Sequence, residues 1–202
     1  MAMTFHAAAA ESKTPGFLAL TWASIVPWGL AVIYFANGLT RPTGTARVTW
    51  HGQDPPMPEA TGWIEGAAGE GVFHFWLVDS IADRSMTRLA LVATLVTIGI
   101  ALLGASRMIL SLRAAGAVRS WGIRRAWRTW SAAAACAGAV VPLATWLQSQ
   151  TVLAAAGGPP GLEPSAGLGW GWLAAAAACL LASRTASPAS PRLLPPPSRA
   201  DG

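Results

Sequence analysis

Charge is what this chain has least of: Asp, Glu, Lys and Arg make up 11% of its 202 residues, against 53% hydrophobic residues. A soluble domain carries about 25% charged residues, so this composition cannot coat a water-facing surface, and a membrane protein is the class that fits. Cysteine is scarce as well. Cys136 and Cys179 both lie inside apolar runs, which excludes a disulfide framework and a spaced-cysteine metal motif; both are expected to pack as small apolar side chains. The sequence has no Gly-x-x-x-x-Gly-Lys phosphate loop, no Gly-x-Ser-x-Gly elbow to expose a nucleophile and no His-x-x-x-His pair. These absences give the expectation of a non-enzyme with no cofactor and no metal site.

What is present is a series of long intervals free of charge. A helix needs about 20 residues to cross about 30 Å of hydrocarbon at about 1.5 Å per residue. Four intervals predict transmembrane helices over 17–36, 88–112, 131–156 and 168–183. The fold class expected is an all-α membrane bundle with four transmembrane helices and a small outer loop domain carrying short β-strands. The fourth helix, at 16 residues, would be about 24 Å long. Pro27 and Pro142 each remove a backbone donor inside a span and should kink it. The first apolar run exceeds the 7 to 15 residues or so of a signal-peptide core, and no clear small-x-small site follows it, so it is read as an uncleaved anchor.

The connectors differ in sign. The segment 113–130 holds Arg113, Arg119, Arg124, Arg125 and Arg128 with no acid. The segment 37–87 holds three arginines at its start and end regions against six acids, and the connector 157–167 has no basic residue. The positive-inside rule then places 113–130 in the cytoplasm, the other two connectors outside, and both termini (1–16 and 184–202) inside. Within the basic segment Ile123, Trp127 and Trp130 recur at helical spacing while Arg124, Arg125 and Arg128 fall on a neighbouring face, so a short amphipathic helix lying in the headgroup layer is expected. Gly116 and Gly122 argue against one long basic rod of the kind that reads DNA, and no nucleic-acid partner is expected. The lipid-interface set is Arg113, Arg119, Trp121, Arg124, Arg125, Trp127, Arg128 and Trp130, with anionic headgroups of membrane lipids as their partners.

In the outer segment, Thr45–Trp50, Thr61–Glu65 and Gly71–Val78 are rich in β-branched and aromatic residues between Pro- and Gly-rich breakers, and predict two or three short strands. Alternation puts Phe73 and Phe75 on one face and Val72, His74 and Trp76 on the other. His51, His74, Glu65, Glu70 and Asp79 are the one ligand-like set, but it is scattered, and a solvated acidic loop is the expected reading. Inside the spans the ionisable residue is Arg107, near the basic end of the second, where its stem can snorkel. Gln148, Ser149 and Gln150 read either as interhelical hydrogen-bond partners or, the commoner case, as the approach of the third span to the outer interface. The pairs Gly167/Gly171, Ala134/Gly138 and Ala101/Ala105 have the four-residue spacing of close helix contacts. Spans three and four are expected to be antiparallel neighbours with the two thiols at similar depth.

Several of these features come in a recognisable order. Arg88-Leu89, Ile109-Leu110-Ser111-Leu112-Arg113, Gly116, Ser120 and Arg124-Arg125 resemble the second span, turn and basic helix of an uncharacterised bacterial family of four-helix membrane proteins, a domain of unknown function. The resemblance covers about a third of the chain, from Arg88 to about Ala156, and implies a multi-pass protein of the bacterial plasma membrane without implying an activity. Residues after Arg184 are Pro- and Ser-rich and read as a cytoplasmic extension that cannot pack. The functional expectation is a non-enzymatic accessory or regulatory subunit, with a membrane-protein partner or a homo-oligomer. The alternatives are a small transport or efflux component with a polar path near Gln148 and Gln150, and an outer-face sensor or metal binder using His51 and His74.

Overall fold

A computed structural model describes residues 15–52, 62–67, 69–76, 78–114, 116–165 and 167–185. The first residues and the Pro-rich tail named above lie outside this set. The chain is mostly helical: α1 (Pro15–Thr40), α2 (Ile81–Met86), α3 (Leu89–Arg113), α4 (Gly116–Ala135), a π-helical turn (Cys136–Val140), α5 (Val141–Ala155) and α6 (Trp170–Thr185). Three segments are long and apolar enough to cross a membrane: Ala19–Thr40, Ile81–Arg113 and Val118–Ala155.

The helices are built inside out relative to a soluble bundle. Side chains at the helix contacts are small: Ser24, Ala31, Gly99, Gly104, Ser106, Ala126, Ala133, Ala144 and Ala176 are buried. Large apolar side chains point away, with Trp22 67% and Val32 70% exposed. Leu or Ile gains nothing by leaving lipid for protein, whereas small residues let backbones approach and gain dispersion contacts. Trp28 of α1 lies over Gly99 of α3, and Trp130 of α4 over Gly104, so that a Cβ at either glycine would run into an indole. The buried serines Ser24, Ser106, Ser111 and Ser183 satisfy their hydroxyls within their own helix, as Ser106 does by donating to the Leu103 carbonyl (2.9 Å).

The expected strands form, with a fourth that was not foreseen. β1 (Gly44–Thr49), β2 (Gly62–Ala67), β3 (Glu70–Phe75) and β4 (Glu163–Pro164) make an antiparallel sheet in the order β2-β3-β1-β4. As the alternation requires, Phe73 and Phe75 are buried, with Ala46, Val48, Trp50 and Val78, against Val152 and Leu153 of α5. Burying such a side chain is worth about 1.5–3 kcal/mol. The edge of β1 is completed by a helix. β4 covers only Val48 and Thr49. Farther along, the Thr45 carbonyl accepts from Gln148 Nε2 (2.9 Å) and the Arg47 N–H donates to Ser149 Oγ (2.8 Å). Gln148 Oε1 also accepts from the Ala90 N–H (3.0 Å), a donor in the first turn of α3 that has no partner within its own helix. Gln148 and Ser149, read as an approach to the outer interface, are instead the joint between sheet and bundle.

Three further expectations are corrected. The segment 113–130 is not a loop bearing a separate short helix. The chain turns after Arg113 and is helical again from Gly116 onward, so Arg119, Arg124, Arg125 and Arg128 belong to the third span's own helix, packed antiparallel on α3, and Arg113 ends α3. Gly122 does not break that helix; it sits where a Cβ would overlap Ser111 of α3. α4 and α6 are antiparallel neighbours, joined by Ser131 Oγ donating to the Ala176 carbonyl (2.8 Å) and by the Gly169 N–H donating to the Gly138 carbonyl (3.0 Å). That register sets Cys179 opposite Arg128, about 12 Å along the axis from Cys136 at about 1.5 Å per residue, so the thiols are not at similar depth.

Candidate functional site

At the α3–α4 turn the predicted interface residues divide into two groups. Arg113, Arg119, Trp121, Arg125 and Arg128 are exposed, and Arg124 is half-buried. The Arg125 guanidinium lies 4.7 Å from the Trp121 ring centre, a cation–π pair one helical turn apart. Trp127 and Trp130 meet edge to face at 5.3 Å. Trp130 turns inward, however, and its indole N–H donates to the Ala101 carbonyl (3.1 Å). It locks α4 onto α3.

Arg107 joins the set from α3. Its Nη1 donates to Thr129 Oγ1 (2.8 Å), and that hydroxyl donates to the Arg125 carbonyl (2.9 Å). Arg107 and Arg125 line one groove of about 270 Å³ with Leu110, Val118, Trp121 and Gly122. Sequence reading treated Arg107 as a lone snorkelling residue. The signal that would have paired it was the turn itself: folding the chain back after Arg113 brings residues just before it against residues 122–129. Among the described residues no arginine lies within 4.0 Å of a carboxylate, the one charged contact being His74 with Glu65.

The other end carries the sheet. Trp63 and His74 are direct partners across β2 and β3, and their rings stack at 4.4 Å and 7°. Trp76, two residues beyond His74 on the same face, meets Trp63 at 4.6 Å. Trp63 is 43% and Trp76 51% exposed. His74 Nε2 is 3.6 Å from Glu65 Oε2 and has no hydrogen-bond partner. Of the ligand-like residues, these two alone are brought together, and among the described residues no three of His, Cys, Asp and Glu converge on a metal position. A polar cleft of about 310 Å³ between Arg47, Glu70, Thr145 and Ser165 lies where β1 and β3 meet α5.

No family model, curated protein or solved structure matches this chain, so the likeness to the four-helix family rests on its sequence features.

Proposed function

We propose that the chain is a non-enzymatic, multi-pass protein of the bacterial plasma membrane, an accessory or regulatory subunit that crosses the bilayer four times with both termini inside. Three features support this topology. Arginines gather at the α3–α4 turn and acids at the sheet, α6 runs back to the arginine end with Arg184 in its last turn, and α1 lies antiparallel to α3, with Gly38 against Arg88. The short α6 counts as the fourth span in this reading.

The observation that carries the subunit reading is the Trp63–His74–Trp76 ladder. It stands on the open face of a sheet whose other face is filled by α5 and whose edge is bonded to α3 and α5 through Gln148 and Ser149. Exposed aromatics on a rigid base are what a docking partner desolvates first, and a buried Trp at an interface contributes about 2 kcal/mol or more. Purification of the tagged chain from its native membranes in mild detergent tests it. A stoichiometric membrane partner is expected to be retained by the wild type and lost, about 30-fold, in Trp63→Ala and Trp76→Ala. A homo-oligomer alone, unchanged by either substitution, would overturn the reading and favour a transport component.

A further inference from the structure

We infer that the groove between α3 and α4 at the arginine end binds the phosphate of an anionic phospholipid, held by Arg107 and Arg125. This rests on the reading that the helices span a bilayer, and adds to it a defined lipid site.

Three observations converge. The two guanidiniums are fixed before any ligand arrives, Arg107 by Thr129 (2.8 Å) and Arg125 by the Trp121 ring (4.7 Å). Preorganisation lowers the entropy lost on binding. Second, the charges have no counterpart among the described residues. The sequence has no acid between Asp83 and Glu163, and none of the described arginines pairs with a carboxylate. Two like charges on the walls of one groove repel, the more so in a low dielectric, and a bidentate phosphate relieves this with charge-assisted bonds. Arg107 and Arg125 also share that groove with Val118, in the first turn of α4, where the helix dipole adds positive potential.

The third observation selects a lipid over a free anion. Apart from Ser111, whose hydroxyl donates to the Arg107 carbonyl, and Gly122, the remaining walls are apolar, from Leu110, Ala114, Val118 and Trp121. They open outward, Val118 being 67% exposed. A site for a soluble phosphate has no use for such walls, whereas an acyl chain leaving the headgroup needs them.

The test uses the full chain in mild detergent. Native mass spectrometry reads retention of dioleoylphosphatidylglycerol against dioleoylphosphatidylcholine, with inorganic phosphate as competitor. Retention of phosphatidylglycerol is expected, falling about tenfold or more in Arg107→Gln and Arg125→Gln and unchanged in Arg184→Gln, which removes an equal charge at the same end but outside the groove. Equal losses in all three variants would overturn the site in favour of diffuse attraction, and so would unchanged retention in the first two. Displacement by millimolar phosphate would overturn the lipid as occupant. Should Arg107→Gln fail to fold, Arg125→Gln, at an exposed side chain, decides the matter. Resistance of the chain to carbonate extraction from membranes is measured separately, so failure of the lipid site and failure of the membrane reading are told apart.

Discussion

Gly104 and Gln148 show how single residues hold this molecule together. A methyl group at Gly104 would run into the Trp130 indole, so Gly104→Ala is expected to destabilise the helix pair by about 1–3 kcal/mol. In Trp130→Leu the same substitution should cost less than in the wild type, because the obstructing ring is gone; thermal unfolding of the four variants in detergent reads this coupling. Gln148 reaches both the Thr45 carbonyl and the Ala90 N–H. Gln148→Glu keeps the acceptor for Ala90 but sets a second oxygen against the Thr45 carbonyl. We expect it to lower stability by about 1–3 kcal/mol and to speed proteolysis of the sheet, while Gln150→Glu, on an open surface shared with Asp83 and Thr151, leaves both unchanged. Neither role was legible in the sequence. A glycine in an Ala-rich helix carries no record of the ring above it, and Gln148 is named a joint only once β1 is known to lie beside α5.

Among the elements, the break between α4 and α5 has a consequence beyond a kink. In a regular helix the Gly138 carbonyl would accept from the residue four positions on, but that residue is Pro142, which has no N–H. The chain passes through a π-helical turn there, and the orphaned carbonyl accepts from the Gly169 N–H at the start of α6 (3.0 Å). The proline thus opens the acceptor on which the fourth helix docks. Pro142→Ala supplies a competing donor, so the Gly169 amide should exchange faster, by about fivefold for the loss of a bond worth about 1 kcal/mol. Element existence was readable: charge-free intervals placed α1, α3 and α6 to within a few residues, while the third span's helix starts some fifteen residues earlier than expected, and alternation gave the inward face of β3. Continuity was not. Gly122 reads as a helix breaker on propensity, but packing against Ser111 outweighs about 1 kcal/mol of intrinsic cost. Register was also hidden, since the thiols' depths depend on how far α6 is shifted by the Gly138–Gly169 bond. In a cysteine-free background, Ser131→Cys with Ala176→Cys should form a disulfide on oxidation, and the native pair Cys136 and Cys179 should not. The reverse result would shift the register of α6 by about two turns.

At the scale of the whole molecule the ends are chemically opposite: a sheet with its acids and aromatics at one, arginines without a carboxylate partner among the described residues at the other, and between them a band where small residues face in and large apolar ones face out. A charge asymmetry of this kind orients a chain in the membrane during insertion. α6, with 16 residues, is the element on which the count of crossings depends. About 24 Å of helix falls short of about 30 Å of hydrocarbon, yet α6 starts beside Gly138, ends at the arginine end, and presents Trp170 and Trp172 where it begins, the residues suited to an interface. Alkaline phosphatase, active only outside the plasma membrane, separates the arrangements. Fusions at Gly66, Gly116 and Thr185 are expected to be active, inactive and inactive. An active Thr185 fusion, with the other two as expected, would reduce the chain to three crossings and move its tail outside. Activity at Gly116 with none at Gly66 would invert the orientation, carrying the arginine groove to the outer leaflet and the sheet to the cytoplasm.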